Sequence, residues 1–345
     1  MTNPILVEAL RGGHVESFHR GALAVLDADG AVLASLGDID RPIFPRSAVK
    51  ALQALPLVAS GAAERLKLSD EELALACASH QGEEAHVRTA ASMLAKAGVD
   101  TSVLECGAHW PYSEAASRTL AALGRAPSAL HNNCSGKHSG FVCVACLMAD
   151  GADLRHYVKG YVKREHPVMR EISAALQATT GWDLATTPRG TDGCSIPTFA
   201  IPLRNLAQAF ARLGTGVGLS EANARAAKRL RAAVAKAPFH VGGSARFDSR
   251  VMQLIGERVF CKVGAEGVYC AAFPERGLGV AIKMDDGNTA RAAEVAMAAL
   301  IEALARLDDD ERIFMRELSE LTLRNWNGIE VGRLRAAEAL RGVRA

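Results

Sequence analysis

The pattern of apolar and polar positions divides the chain into two strand-rich ends and a long helical middle. Near the N-terminus, the runs ILVEAL, HVESFH and ALAVLDADGAVLASLGD have the length and composition of antiparallel strands. Asp29 and Gly30 stand between two apolar runs of the last segment, where this dipeptide is typical of a tight hairpin turn. We therefore predict that the chain begins with a β-meander.

A second meander is predicted near the other end, in the runs RVFCKVG, GVYCAAF and GLGVAIKMDDG. Glu266-Gly267 and Arg276-Gly277 stand at its turns. The stretch ARAAEVAMAALIEALARL follows and keeps its apolar residues at helical spacing. It predicts an amphipathic helix that packs on a face of the sheet.

Good helix formers dominate the middle of the chain, from about residue 47 to residue 236. Strands and helices do not alternate, so a doubly wound parallel sheet is not expected. We predict an α/β fold of the α+β type, a single domain over residues 1–345. Its N- and C-terminal parts, about 1–46 and 237–345, form one antiparallel sheet, and residues 47–236 form a helical lobe. The boundary between sheet and lobe is where we expect the active site.

Composition narrows the class of protein. The 345 residues are 49% hydrophobic and 23% charged, as in an ordinary globular protein. The 40 basic and 38 acidic residues leave a charge of +2 without a basic block, which disfavours nucleic-acid binding and favours a small neutral or zwitterionic substrate. No secretory signal or membrane-spanning run is recognised, and the eight cysteines are expected to be reduced thiols. We therefore expect a cytoplasmic protein that does not bind membranes.

The first candidate for chemistry is the segment FPRSAVKALQAL, in which Ser47 and Lys50 are three residues apart. Pro45 precedes the apolar periodicity, so Ser47 is expected in the first turn of a helix, on the same face as Lys50. A lysine with a lowered pKa can take the proton of a serine and make it a nucleophile. The spacing alone is a weak signal, and a surface capping serine is the commoner reading.

Ser79 and Lys262 are two further candidates. Ser79, in ALACASHQGEE, is either an ordinary polar residue at a helix end or a second hydroxyl that relays protons. Lys262, followed by Gly264, is either a charge on an edge strand or an inward catalytic group. With Ser47 they have the layout of the penicillin-recognising serine acyltransferases: Ser-x-x-Lys, a central hydroxyl, then a strand with Lys-x-Gly. Layout alone does not fix the substrate.

Thiols and nitrogen donors lie close together in HNNCSGKHSG and RGTDGCSIP. Cys134, Lys137 and His138 belong to the first segment, and Asp192 and Cys194 to the second. Two thiolates and a nitrogen could hold zinc, but the spacing supports a metal only weakly, and free buried thiols are the alternative. The Cys-x-x-Cys pair in GFVCVACLMA has only apolar neighbours and is interpreted as core.

The chain resembles the rhizobial-type (class 3) L-asparaginases of the Asparaginase II family. The resemblance spans nearly the whole chain, from NPILVEALRGG to KMDDGNTARAAEVAMAALI, with HNNCSGKHSG its most unusual motif. It implies hydrolysis of L-asparagine to L-aspartate and ammonia, a fold similar to serine β-lactamases and glutaminases, and a homodimer. The other segments that carry it occur in family order: FPRSAVKALQALPLV, CASHQGE, CGAHWPYSEAASRTL, GTDGCSIPTFAIPL and KVGAEGVY.

Site residues follow from the resemblance, position by position. It implies that Ser47 is the nucleophile and Lys50 its base, with Ser79 and Lys262 as a second Ser–Lys pair. It implies a zinc site in which a lysine is a ligand, the metal assisting substrate affinity rather than hydrolysis. Arg46, His138 and Asp192 match residues that line the substrate pocket. The implied zinc ligands are Cys134, Lys137 and Cys194.

From these implied residues we expect specific contacts with the substrate and the metal. Arg46 could pair with the carboxylate of asparagine and Asp192 with its ammonium group. Lys137 would have to be neutral to bind zinc. Asp248 and Ser249, in a segment whose details vary in the family, receive no role.

Three alternatives remain. A glutaminase or broader amidase differs by one methylene of substrate, which motifs cannot resolve. A penicillin-type acylation protein would share the Ser-x-x-Lys layout, but its usual substrates lie outside the cytoplasm. A catalytically silent amino-acid- or zinc-binding protein would be expected to have lost one of the four Ser and Lys positions.

Overall fold

The computed structural model of the chain describes residues 2–344, in two compact units. The sheet unit comprises the chain up to Ala48, the segment Ile201–Val217 and the chain from Arg258 onward. The helical unit comprises Val49–Ala200 and Gly218–Glu257.

The strands fall mostly at the two ends of the chain. They are β1 (Ile5–Arg11), β2 (His14–Asp27), β3 (Val32–Leu36), β4 (Pro42–Ile43), β5 (Arg189–Thr191), β6 (Pro197–Phe199), β7 (Ile201–Pro202), β8 (Phe260–Val263), β9 (Val268–Phe273), β10 (Leu278–Met284), β11 (Thr322–Arg324) and β12 (Glu330–Ala336).

The helices fill the middle of the chain and the segment after β10. They are α1 (Lys50–Gln53), α2 (Leu55–Ala59), α3 (Ala62–Arg65), α4 (Asp70–Ala76), α5 (Glu84–Lys96), α6 (Glu114–Ala122), α7 (Ser135–Met148), α8 (Leu154–Tyr157), α9 (Pro167–Thr180), α10 (Leu203–Thr215), α11 (Glu221–Lys236), α12 (Phe239–Gly242), α13 (Phe247–Ile255), α14 (Glu294–Leu304), α15 (Asp309–Ser319) and α16 (Glu338–Arg341). Within residues 2–344, no helix has the length and apolar character needed to cross a membrane.

The sheet unit is built on one antiparallel sheet with the strand order β11-β12-β1-β2-β10-β9-β8, and β3 also pairs with β2. N-terminal strands therefore pair directly with C-terminal strands, as β2 does with β10. This confirms the predicted α+β fold with an antiparallel sheet from both ends of the chain. The hairpin at Asp29-Gly30 is also present, with Gly30 at φ +97°.

Strand β2 differs from the prediction, which divided it into two strands. Its residues up to Arg20 pair with β1, and from Gly21 onward it pairs with β10. A Cβ atom at Gly21 would lie 2.5 Å from the carbonyl oxygen of Lys283. The glycine therefore allows one continuous strand to pass from β1 to β10. The change from polar to apolar residues along β2 marks this change of partner strand rather than a turn.

Helices cover both faces of the central strands. All residues of β9 are buried, which requires packing on both sides because side chains alternate along a strand. Helix α10 lies so close to β10 that a Cβ at Gly279 would be 1.9 Å from the carbonyl oxygen of Ala207. Helix α14 confirms the predicted helix on the sheet, but it is buried around most of its surface rather than amphipathic, because it packs against α15 as well as β12, β1 and β9.

The expected boundaries of sheet and lobe differ from the two units in two places. Helix α10, expected in the lobe, belongs to the sheet unit, because Leu206, Phe210 and Leu213 form a fully buried apolar stripe on it. Residues 237–257, expected in the sheet part, form α12 and α13 of the helical unit. The end strands β11 and β12 were not predicted, because they are largely polar and partly exposed. The single-domain interpretation remains a prediction.

Helix α7 forms the centre of the helical unit. It packs against α4, α5, α2 and α9, and its residues from Ser135 to Ala145 are all buried. A small hairpin of β5 and β6 completes this unit.

Candidate active site

Ser47 lies in the sheet unit, in a 3-10 turn (Arg46–Val49) that runs directly into α1. The turn begins with a hydrogen bond of 3.1 Å from the Ala48 amide to the Pro45 carbonyl oxygen. Arg46 has φ +50°, a left-handed conformation that is uncommon for a residue other than glycine and is enriched at functional sites. Ser47 and Arg46 are both half-buried. Ser47 is therefore a partly exposed residue in a constrained turn.

Lys262 lies on β8 of the same unit and is fully buried. Its Nζ donates a hydrogen bond of 2.8 Å to the carbonyl oxygen of Val263. A Cβ at Gly264 would lie 2.8 Å from the Pro45 carbonyl oxygen, so the absence of a side chain there lets the two segments touch. The sheet unit thus brings the end of β8 against the residues that lead into Ser47.

Lys50 and Ser79 meet in the interior of the helical unit. Lys50 is 1% exposed, and its Nζ lies 2.9 Å from Ser79 Oγ and 2.6 Å from the Ala78 carbonyl oxygen. The carbonyl oxygen of Asn133 is a third acceptor at 3.5 Å. The sequence placed Ser79 just beyond a helix end, and the structure confirms this, since α4 ends at Ala76. A buried lysine in contact with a serine hydroxyl is a possible proton-transfer pair.

The strand-like segment around Ser79 is fixed on both sides. The Ser79 amide donates to the carbonyl oxygen of Val241 at 2.9 Å, and the His80 amide to that of Asn133 at 3.3 Å. The His80 ring is fully buried, accepts a hydrogen bond from the Gly82 amide at Nδ1 and lies 2.9 Å from Ser135 Oγ through Nε2. These bonds hold the Ser79 segment against the start of α7.

Cys134, Lys137 and Cys194 also come together in the helical unit, at exposures of 4%, 3% and 3%. Cys134 is the residue that caps α7, and Lys137 lies in the first turn of that helix. Cys194 comes from the turn between β5 and β6, and its Sγ lies 3.0 Å from Lys137 Nζ. Among residues 2–344, no group of three or more His, Cys, Asp and Glu has a metal-binding arrangement.

Electrostatics favour a thiolate in this cluster. A hydrogen bond from Cys194 and the ammonium groups of Lys50 and Lys137 outweigh burial and hold the pKa of Cys134 well below its usual range. Burial opposes charge on Lys137, but the sulfurs of Cys134 and Cys194 raise its pKa. Cys106 lies nearby, and burial raises the pKa of its thiol to about 12. Cys134 is therefore the thiol of this cluster that most readily carries a negative charge.

The two remaining candidates of this unit have different exposures. Asp192 is half-buried in the β5–β6 turn, whose backbone is closed by a hydrogen bond of 2.8 Å from the Ser195 amide to the Asp192 carbonyl. His138 is fully buried and has its Nδ1 2.6 Å from Tyr161 Oη. Its Nε2 has no hydrogen-bond partner among the described residues. Asp192 is accessible to a ligand, whereas His138 is enclosed.

A glycine-rich segment is fastened beside Ser79. Both carboxylate oxygens of Glu83 accept hydrogen bonds of 2.7 Å from Ser244, one from its amide and one from its hydroxyl. Ser249 Oγ accepts from the Gly243 amide at 3.1 Å, so Ser249 stabilises this segment. Asp248 is 1% exposed. The sequence alone gave these two residues no role.

Sequence reasoning missed several residues that shape the site. Asn133, His80, Tyr161 and Glu83 were not singled out, although three of them lie inside the quoted motifs HNNCSGKHSG and CASHQGE. Polar residues next to a candidate nucleophile or ligand were the available signal. Tyr161 gave no signal, because its contact with His138 joins residues far apart in the sequence.

Comparison with known proteins identifies one family. The model of the family described as L-asparaginase II matches residues 7–336, nearly the whole chain. No curated protein matches the chain at a significant level.

Solved structures give weaker similarities. A β-lactamase from Mycobacterium bovis is 16% identical, with a TM-score of 0.43, over 82% of this chain and 94% of that one. A structure of Mglu in its native form is 17% identical, with a TM-score of 0.39, over 84% of this chain and 62% of that one.

Proposed function

Because the chain belongs to the L-asparaginase II family and is thus an asparaginase-type amidohydrolase, we propose that it hydrolyses L-asparagine to L-aspartate and ammonia. The observation that carries the proposal is the match of the family over residues 7–336. The buried Lys50–Ser79 contact supports it, since an unused lysine would be expensive to bury.

In the proposed reaction, Ser47 Oγ attacks the side-chain amide carbon of asparagine. Lys50, three residues later, takes the hydroxyl proton, and the proton passes to the leaving nitrogen, which departs as ammonia. Water then hydrolyses the aspartyl ester and restores Ser47. The strained turn at Arg46 supports this assignment, because it orients a half-buried serine at the start of a helical segment.

Ser79 and Lys262 form the second Ser–Lys pair of the proposal. Ser79 Oγ is the acceptor for Lys50 Nζ, so its hydroxyl can exchange a proton with that lysine. Lys262 is buried, and its ammonium form would stabilise negative charge on the reacting groups.

Substrate recognition is assigned to three further residues. Arg46 would pair with the α-carboxylate and the half-buried Asp192 with the α-ammonium group, both by charge-assisted hydrogen bonds. His138 is proposed as part of the pocket wall, and its complete burial favours a role in shaping the wall.

We also propose zinc as a cofactor. Cys134, Lys137 and Cys194 supply two sulfurs and one nitrogen, a donor set that zinc accepts, and the depressed pKa of Cys134 favours the thiolate that a metal requires. When bound, zinc would supply positive charge that increases substrate affinity. We further propose that the enzyme is cytoplasmic and forms a homodimer. Light scattering on the purified protein would check the dimer.

The substrate assignment is tested by measuring ammonia release from L-asparagine and L-glutamine at equal concentrations. We expect a kcat/KM at least about tenfold higher for asparagine, about the discrimination that one methylene permits. Equal or faster release from glutamine would make the chain a glutaminase or a broader amidase. Release from neither substrate by zinc-loaded protein would favour the catalytically silent alternative.

A further inference from the structure

A cavity of about 460 Å³ lies within the sheet unit, between α14, α15 and the end of the chain. Its floor includes Ala336 and Leu340, which are 5% and 1% exposed. Helical spacing brings Arg312 and Arg316 to one face of α15, since residues four apart lie one above the other. Charged residues of the wall are Arg312, Arg316, Arg341, Arg344, Glu302 and Glu320.

Three of the four arginines of this cavity have no carboxylate partner among residues 2–344. Arg316 pairs with Glu302 at 2.6 Å. Arg312, Arg341 and Arg344 donate only to backbone carbonyl oxygens, and no ion pair joins any of them to a carboxylate among residues 2–344. Four arginines against two glutamates leave two net positive charges on the wall.

Guanidinium groups with this arrangement recognise oxyanions. Arginine remains charged at all physiological pH values, and its planar fork of donors matches the oxygens of a carboxylate or phosphate. A concave wall of one sign concentrates counter-ions of the other sign. A volume of a few hundred Å³ accommodates a small organic anion or phosphate. We propose that this cavity binds a small oxyanion with at least two negative charges, either a phosphate group or a di- or tricarboxylate.

The proposed anion site is independent of the proposed amidohydrolase chemistry. None of Ser47, Lys50, Ser79 and Lys262 lines the cavity. Arg341 and Arg344 also lie beyond residue 336, where the family match ends. The site is therefore a second ligand site of this chain, whatever substrate the active site takes.

Isothermal titration calorimetry on the purified full chain tests the proposal. Inorganic phosphate and citrate are titrated separately at low salt, with sodium chloride at matched ionic strength as the reference. We expect saturable one-site binding for at least one of the two anions and none for chloride. Tighter binding of phosphate identifies a phosphate-bearing ligand, and tighter binding of citrate identifies a polycarboxylate. Heats for both anions equal to those of chloride would overturn the proposal.

Variants locate the site. We expect R312Q/R341Q to bind the anion about tenfold or more weakly, because charged hydrogen bonds are lost. R306Q removes an exposed arginine of the same unit outside the cavity and should bind as the wild type does. If the double variant does not fold, R344Q, at an exposed position near the chain end, should still weaken binding. Wild-type affinity in a folded R312Q/R341Q protein would contradict the site. Because binding is read without turnover, failure here leaves the amidohydrolase proposal intact.

Discussion

The two units of the molecule bury different kinds of side chain. The interior of the sheet unit is almost wholly apolar, as in β9 and β10, whose residues include Tyr269, Phe273 and Ile282 at 0% exposure. The helical unit buries charged, histidine, serine and thiol groups around the start of α7. Burying polar groups is costly unless each is paired, so a cluster of this kind indicates function rather than stability. The helical unit therefore holds the larger buried polar cluster, whereas the candidates Arg46, Ser47 and Lys262 lie in the sheet unit.

Each unit nevertheless contains a buried lysine among the proposed catalytic residues. Lys50 Nζ contacts two carbonyl oxygens and the Ser79 hydroxyl, whereas Lys262 Nζ donates to the carbonyl oxygen of the next residue. The contact with a hydroxyl supports the proposed role of Lys50 in proton transfer, and the burial of Lys262 supports its proposed role in electrostatic stabilisation.

The largest effect is expected from Lys50→Met, which keeps the length of the side chain and removes its nitrogen. Loss of the proposed base should lower kcat for asparagine by about a thousandfold or more, since proton transfer contributes two to four orders of magnitude. Lys228→Met, at an exposed position on α11, is the matched control and should retain activity. Wild-type kcat in a folded Lys50→Met protein would remove Lys50 from the mechanism.

Phe210→Ala tests whether the sheet unit serves stability. Phe210 is 0% exposed on α10 and packs near the Phe260 ring. Removing it should lower the free energy of unfolding by about 3–5 kcal/mol, because a cavity remains in the core. Urea unfolding measures the loss, and KM measured on the folded fraction should not change. A large change in KM at unchanged stability would show that Phe210 affects the site rather than the core.

Cys134→Ala tests the thiol cluster. With one donor of the proposed zinc site removed, zinc content should fall, and KM for asparagine should rise about tenfold to a hundredfold, the scale of one lost charged interaction. The matched control is Cys146→Ala, on the same helix in an apolar environment. We expect this variant to keep the zinc content and the KM of the wild type. Unaltered KM after verified zinc loss would exclude a metal contribution to substrate affinity.

The smallest effect concerns the buried histidines. Burial lowers the pKa of His86 and holds that of His80 well below its usual range, so the folded protein keeps the His80 ring neutral. Below about pH 6.5 the unfolded chain binds a proton at His80 that the folded chain does not, so stability falls on acidification by up to about 1.4 kcal/mol per pH unit from this ring. His80→Gln should reduce this slope by about one proton, and His14→Gln, at an exposed position, should not. The free energy of unfolding is measured in urea at pH 5 and pH 6. If it changes with pH by the same amount in His80→Gln and in the wild type, His80 is protonated in the folded protein and the account of this residue is wrong.

Local patterns predicted much of the fold. The meanders, the hairpin at Asp29-Gly30 and the helix α14 follow from short-range periodicity and turn chemistry. Helix α10 falls in the sheet unit rather than in the expected lobe, because a buried stripe indicates that a helix packs, but not on which partner. Strand β12 was missed because it is largely polar and partly exposed.

The candidate site was predicted mainly through the resemblance of its motifs. Cys134 and Cys194 are 60 positions apart, and spacing gave only weak support for a shared site until the structure placed Cys194 beside Lys137. Tyr161 could not be found, because only the tertiary fold brings it to His138. The sequence therefore predicts which residue types could form the site, and the tertiary packing determines which of them come into contact.

The central claim is that Ser47 is the nucleophile of an asparaginase. Its most direct test is the initial rate of ammonia release from L-asparagine by the wild type, Ser47→Ala and Ser79→Ala. We predict that Ser47→Ala falls by about three orders of magnitude or more while remaining folded, because its side chain is only half-buried, and that Ser79→Ala retains measurable turnover. Turnover at the wild-type rate by Ser47→Ala, or its complete loss only in Ser79→Ala, would contradict the account.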